Sequence, residues 1–219
     1  MRYPYDGSGF WRTLWRLGYF LIPLVCRLRV EGAEHMPERG GCVLASNHTM
    51  GPDYILLALP LGRQIHYMAK AEAFQIHPWI TKIIVAAGVF PIRRGEADED
   101  ALAGAVELVT EGHVVGMFPE GTRSRNGELQ RGRSGVARIA MQAQVPVVPV
   151  VVINSEQIYT GWRRLARPEI TIRFGEPLMF DGDPQLLKAT QDHTHQLMVR
   201  IAELLPPSLR GFYKENSRK

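Results

Sequence analysis

From residue 28 onward, short apolar runs alternate with segments of helical period, and that alternation leaves few folds open to the chain. Residues 42–45 predict a buried strand ending at Ser46-Asn47, and further strands are expected over 65–69, 89–90, 114–118, 147–153 and 170–174. Between them Trp79, Ile80, Ile83, Ile84 and Ala87 recur at helical spacing, and Leu102, Ala105, Val106 and Val109 form a second stripe. The second stripe has marked ends. Asp98, Glu99 and Asp100 suit the positive end of a helix dipole, and Gly112 supplies a left-handed cap. Two more helices are expected over 134–143 and from Pro184 to about Leu205, the latter stopped by Pro206-Pro207. Strands alternating with helices imply an α/β layered fold.

The size fits one such domain: 219 residues against an expectation of ~150 per domain. A hydrophobic share of 45% and a charged share of 22% support a sizeable core and exclude a disordered chain. Cys26 and Cys42 are too few for a disulfide framework or a cysteine-rich zinc site, and suit a reducing compartment. A mean hydropathy of −0.12 excludes a polytopic membrane protein. Twenty-six basic residues against 22 acidic ones suit an anionic partner. That partner is a membrane surface, a nucleic acid or a phosphorylated substrate.

The first 28 residues differ from the rest. Trp11, Leu14, Trp15, Phe20, Leu21, Ile22 and Leu24 crowd beside Arg12, Arg16, Arg27 and Arg29. A bilayer-spanning helix needs ~20 mostly apolar residues, and Gly18 and Pro23 interrupt this run. No small-residue cleavage site follows it. With Arg12 and Arg16 on one helical face and Trp11, Leu14, Trp15 and Ile22 on the other, residues 1–28 are expected to lie on an anionic membrane surface. A helix packed on the protein's own core fits the same pattern. Residues 29–205 form the expected main domain, and 206–219 a basic, frayed tail.

Three clusters follow strand candidates. The first is Asn47-His48-Thr49-Met50-Gly51-Pro52-Asp53. Histidine suits proton removal near neutral pH, and a carboxylate folded back across the Gly51-Pro52 turn can fix its tautomer. A strand-end histidine satisfied by a local aspartate fits equally well. The second is Phe118-Pro119-Glu120-Gly121-Thr122-Arg123-Ser124-Arg125, whose donors can grip a phosphate or simply face water. In the third, Pro91-Ile92-Arg93-Arg94-Gly95, two guanidiniums suit bidentate phosphate recognition or decorate a surface. Lys70 and Glu72 follow the 65–69 strand.

Other chemistries lack their residues. Arg123 follows Thr122 where a nucleotide P-loop requires Gly-Lys-Ser/Thr, and Val136 breaks any Gly-x-Ser-x-Gly elbow at 132–136. His193 and His195 are two apart on an expected helix, so a shared metal is not expected. Nucleic acid is not an expected partner, because the aromatic cluster is terminal rather than interleaved with a basic stripe.

In this order the clusters resemble the lysophosphatidate (1-acylglycerol-3-phosphate) acyltransferases of the glycerolipid acyltransferase superfamily. The resemblance rests on the box at 47–53, with its His-x4-Asp spacing, on Ala69-Lys70-Ala71-Glu72-Ala73-Phe74, and on Gly88-Val89-Phe90-Pro91-Ile92-Arg93-Arg94. It continues through Phe118 to Ser124, Arg133-Ser134-Gly135, and Val145-Pro146-Val147-Val148-Pro149-Val150, and covers roughly residues 29–155. Met50 and Arg93 depart from it, standing where a small polar residue and an acid are common.

The resemblance implies a mostly parallel central sheet flanked by helices. It implies His48 as general base and Asp53 as its partner. Arg94, Glu120, Gly121, Thr122 and Arg123 are implied contacts for the acceptor's glycerophosphate, and Arg93, Lys70 and Arg133 are expected as further substrate-binding residues. The implied reaction moves a fatty acyl group from acyl-CoA or acyl carrier protein to the free hydroxyl of lysophosphatidate, giving phosphatidate in phospholipid biosynthesis, without metal or other cofactor, at the cytoplasmic face of the membrane and bound peripherally or monotopically. Competing expectations are the same chemistry on glycerol 3-phosphate or another lysophospholipid, and a non-catalytic anionic-lipid-binding protein. The apolar 79–87 helix is either ordinary core or the wall of an acyl path.

Overall fold

Every residue of the strand Cys42–Ser46 is buried, as a run with so little polarity must be when helices cover both faces of a sheet. In the computed structural model, which describes residues 8–70, 77–92, 98–163 and 166–214, this strand stands centrally in one sheet. The strands are β1 (Arg27–Glu31), β2 (Cys42–Ser46), β3 (Ile65–Lys70), β4 (Val89–Ile92), β5 (Val114–Met117), β6 (Val147–Ile153) and β7 (Glu169–Phe174). The helices are α1 (Gly9–Val25), α2 (Asp53–Ala58), α3 (Pro78–Ala86), α4 (Asp98–Thr110), α5 (Gly135–Ala143), α6 (Gln157–Arg163) and α7 (Leu187–Leu204).

The strand order is β1-β7-β6-β2-β5-β3-β4. Pairing is parallel throughout except between β6 and β7. The mostly parallel α/β sheet is therefore present. Side chains alternate between its two faces. Val43 and Ala45 of β2 and Val147, Val151 and Ile153 of β6 meet α5 and α7 on one side. Cys42 and Leu44, with Val148, Val150 and Val152, meet Leu56 and Leu57 of α2 on the other.

This division positions the site. The chain leaves β2 through α2 on one face and leaves the adjacent β5 through α5 on the opposite face. The two connections part at the carboxyl ends of β2 and β5 and open a crevice there, the usual ligand position in open parallel sheets.

The N-terminal segment is one continuous helix, passing through both Gly18 and Pro23. Pro23 falls in the last turn, where its missing N–H forfeits a single bond. The expected outward placement of the tryptophans is corrected. Trp11 and Trp15 are buried, and the Trp15 indole N–H reaches the carbonyls of Ala58 and Leu59 at 3.2 Å. What faces outward is a different apolar set, Phe10, Leu17, Phe20, Leu21 and Leu24, with Phe20 and Leu24 each 72% exposed. No described helix is long and apolar enough to cross a membrane.

The boundary expected at residue 28 falls inside β1, which pairs with β7 from Arg27 to Glu31. Its alternating charged and apolar residues make an edge strand, and the arginines disguise it as a basic flank. At the other end, residues 206–214 are packed, not frayed. Two 3-10 turns (Pro207–Leu209 and Gly211–Tyr213) bring Tyr213 into the core. The Leu129 N–H donates to the Leu209 carbonyl at 2.9 Å, and the Tyr213 hydroxyl accepts from the Gly132 N–H at 3.2 Å. The C-terminal segment thus straps down the loop that precedes α5.

Candidate active site

The site begins where β2 ends. Asn47 extends the ladder with its side chain: Nδ2 donates to the Val152 carbonyl at 3.0 Å, and Oδ1 accepts from the Val152 N–H at 2.8 Å. Strand pairing with β6 is so prolonged by one residue and then stops, which releases His48 from the sheet. Two further bonds clamp His48. Its N–H donates to Glu120 Oε1 at 2.7 Å, and its carbonyl accepts from the Ser124 N–H at 2.8 Å. The loops after β2 and β5 are thereby one unit. The imidazole stacks on Phe118, with ring centroids 3.8 Å apart and planes 16° from parallel, and Phe118 in turn stacks on Tyr67. The ring plane is set by packing alone.

Its rotation is set by Asp53. His48 Nδ1 lies 3.1 Å from Asp53 Oδ2, and the aspartate side chain is fully buried while 16% of the histidine side chain remains accessible. Asp53 Oδ2 also accepts from the Thr49 N–H at 2.7 Å, and Oδ1 accepts from the Thr49 hydroxyl at 2.8 Å and from Ser155 Oγ. A carboxylate accepting that many bonds is ionised, so Nδ1 must carry the hydrogen. In the neutral imidazole the lone pair then sits on Nε2, which has no protein partner among the described residues. A neutral imidazole with its basic nitrogen unencumbered at a strand-end crevice can take a proton from a bound hydroxyl.

Glu120 is held inside the protein. It is 3% exposed, and its two oxygens are occupied by the N–H groups of His48 and Gln130, at 2.7 and 2.9 Å. Burial pushes its carboxyl above the usual carboxylate range, and those two N–H groups pull part of the way back. In the structure these two bonds hold the histidine loop against the loop after β5.

Gly121, next in the loop, has φ +69°, and a Cβ there would stand 2.8 Å from Arg133 Nε. Its bare backbone lets the Arg133 side chain lie across the turn, while the Arg133 N–H donates to the Pro119 carbonyl at 2.8 Å. Thr122, Arg123 and Arg133 are exposed on this rim. Substituting Gly121→Ala strains the left-handed turn and displaces the guanidinium. Its expected result is a lowered thermal midpoint, which a melting curve checks.

Lys70 closes β3 at the same edge of the sheet, its side chain lying outside the described part. Arg93 and Arg94 also lie outside the described residues, and β4 delivers the chain to them from that edge. Sequence reading missed Ser155 and the support given by Thr49. The signal for Ser155 was available, since it follows the apolar run of β6 as His48 follows that of β2.

Comparison with known proteins accords with this geometry. A family model described as Acyltransferase matches residues 27–153. The 1-acyl-sn-glycerol-3-phosphate acyltransferase of Bacillus subtilis (strain 168) is 33% identical over 153 residues, covering 69% of this chain and 73% of that protein. The human 1-acyl-sn-glycerol-3-phosphate acyltransferase alpha is 30% identical over 193 residues, covering 84% of this chain and 67% of its own length. Among solved structures, the 1-acyl-sn-glycerophosphate acyltransferase PlsC from Thermotoga maritima superposes with a TM-score of 0.68, at 22% identity, over 89% of this chain and 78% of that one, a likeness of fold. The matched span carries the clamped histidine, its buried aspartate and the loop after β5 together, and over that span the chain belongs to the acyltransferase family.

Proposed function

We propose that this chain transfers a fatty acyl group from a thioester donor to the free hydroxyl of lysophosphatidate, giving phosphatidate. The observation that carries this reading is the His48–Asp53 pair, with its Nε2 unpartnered among the described residues and arginines on the rim beside it. The names of the relatives in Bacillus subtilis and Homo sapiens support the same acceptor.

An alcohol is a poor nucleophile, whereas a thioester carbonyl is already activated. His48 Nε2 takes the hydroxyl proton as the oxygen adds to the carbonyl carbon. The C–O bond forms, the C–S bond breaks, and the proton passes from the imidazolium to the departing thiolate. Asp53 stabilises the imidazolium and keeps Nδ1 protonated throughout. Acyl-CoA or acyl carrier protein supplies the thioester. Arg123 and Arg133 seat the acceptor phosphate, with Arg93, Arg94 and Lys70 as further candidate contacts, and Gly121 and Thr122 shape that rim.

An acceptor panel with one donor tests the assignment. Lysophosphatidate is expected to outrun glycerol 3-phosphate and lysophosphatidylcholine, and Arg123→Ala or Arg133→Ala is expected to raise KM for lysophosphatidate about tenfold with kcat little changed. Equal rates on all three acceptors, or a fall in kcat alone, would exclude the phosphate seat.

A lipid acceptor also needs a lipid-facing surface. The exposed Phe10, Leu17, Phe20, Leu21 and Leu24 of α1, with Arg12 and Arg16 beside them, support docking on an anionic leaflet. The double substitution Phe20→Glu and Leu24→Glu is expected to abolish sedimentation with phosphatidylglycerol vesicles without unfolding the protein, because neither side chain is buried. Undiminished sedimentation would place the contact elsewhere.

A further inference from the structure

We propose that Ser155 is a positioning residue for this reaction, anchoring to the sheet the carboxylate that orients His48. The inference rests on the reading of His48 as the base, and extends it to a side chain outside the His48–Asp53 box. Ser155 lies just beyond the end of β6, is fully buried, and follows Asn154, whose φ of +67° turns the chain toward the box. Its carbonyl accepts from the Ile158 N–H at 3.2 Å, which fixes its backbone at the start of α6.

The partners of Asp53 divide unevenly. His48 Nδ1, the Thr49 N–H and the Thr49 hydroxyl all belong to the same 48–53 turn as the aspartate, and move with it. Ser155 Oγ is the contact that arrives from another element. Gly51 is moulded to it, since a Cβ at 51 would stand 2.2 Å from Ser155 Oγ. Without that hydroxyl the turn retains its internal bonds, and the Asp53 carboxylate loses its contact with the segment after β6.

The proton count makes the tie obligatory. Asp53 Oδ1, Thr49 Oγ1 and Ser155 Oγ are in mutual contact, and with the carboxylate ionised two hydroxyl hydrogens serve three contacts. The Gly51 N–H donates to Thr49 Oγ1 at 3.0 Å and takes one of its lone pairs. Either both hydroxyls donate to Asp53, or Ser155 donates to Asp53 while Thr49 donates to Ser155, or Ser155 donates to Thr49 and Thr49 to Asp53. In each arrangement the serine hydrogen supports the carboxylate, directly or through one relay.

The test uses the full chain on mixed vesicles with palmitoyl-CoA and lysophosphatidate. Ser155→Ala is expected to lower kcat about tenfold to a hundredfold, the weight of one hydrogen bond to a charged group, with both KM values held within about twofold. Ser155→Cys, a weaker donor of similar shape, is expected to recover part of the loss. In a His48→Ala background, Ser155→Ala is expected to change the residual rate less than about twofold, because Asp53 then has no base to orient. Equal losses in both backgrounds would show a packing role only, and wild-type kcat for Ser155→Ala would overturn the proposal outright. Should Ser155→Ala fail to fold, Ser155→Cys decides alone: reduced kcat at an unchanged melting temperature supports it, and wild-type kcat rejects it. Wild-type turnover by His48→Ala would instead defeat the underlying reading of the base.

Discussion

Replacing His48 with alanine is expected to lower turnover by ~10²–10⁴-fold while the protein stays folded, the usual worth of a positioned general base. The expectation of an intact fold comes from the way the residue is held. Its backbone N–H and carbonyl make the bonds to Glu120 and Ser124, and alanine keeps both. The ring contributes one stacking contact and one bond to Asp53. A circular dichroism spectrum and a melting curve should therefore match the wild type, with the loss confined to kcat. Unchanged acyl transfer would remove the base from the mechanism.

Removing the aspartate acts on two quantities at once. Asp53→Ala strips the acceptor from the Thr49 N–H, from two hydroxyls and from the imidazole, all at a fully buried position. Unmet buried donors and a lost charge there cost about 3 kcal/mol of stability, read from urea unfolding. Turnover is expected to fall ~10²–10⁴-fold as well, since nothing then selects the tautomer or stabilises the imidazolium. Asp53→Asn is expected to lie between this variant and the wild type on both measures. Its amide oxygen can still accept from His48 and Thr49, while the Thr49 and Ser155 hydroxyls rotate to accept from its NH₂. An Asp53→Ala protein as stable and as active as the wild type would contradict the network described for it.

The fold was legible where hydrophobic period alone decided it. Strands β2, β5 and β6 are apolar runs of strand length, β7 alternates apolar with polar residues, and α4 carries acidic residues at its start and Gly112 at its end. The short helices α2 and α6 escaped detection because six and seven residues are too few to display a helical period. Edge strand β1 escaped because its arginines resemble a membrane flank. The two tryptophans of α1 misled for a related reason. Sequence shows that a helix has two apolar sides, and only packing tells which side the core claims. Pro206-Pro207 ends α7 as expected, yet the tail beyond it docks through Tyr213, which is buried while the adjacent Phe212 is exposed.

The site was legible as a set of loops and illegible as a network. The spacing of His48 and Asp53 foretold their contact, because a turn through Gly51 and Pro52 can close only over that distance. The roles of Glu120 and Ser155 depend on which loops the strand order brings together. Residues 48, 120 and 155 follow β2, β5 and β6, adjacent in the sheet and far apart in the chain. No local pattern encodes that adjacency.

Thiol released from palmitoyl-CoA, followed alongside phosphatidate formed, tests direct transfer to a lipid hydroxyl most directly. The account predicts release that requires lysophosphatidate and equals phosphatidate mole for mole. Release at the same rate without lysophosphatidate, or lysophosphatidate left unacylated, would contradict it.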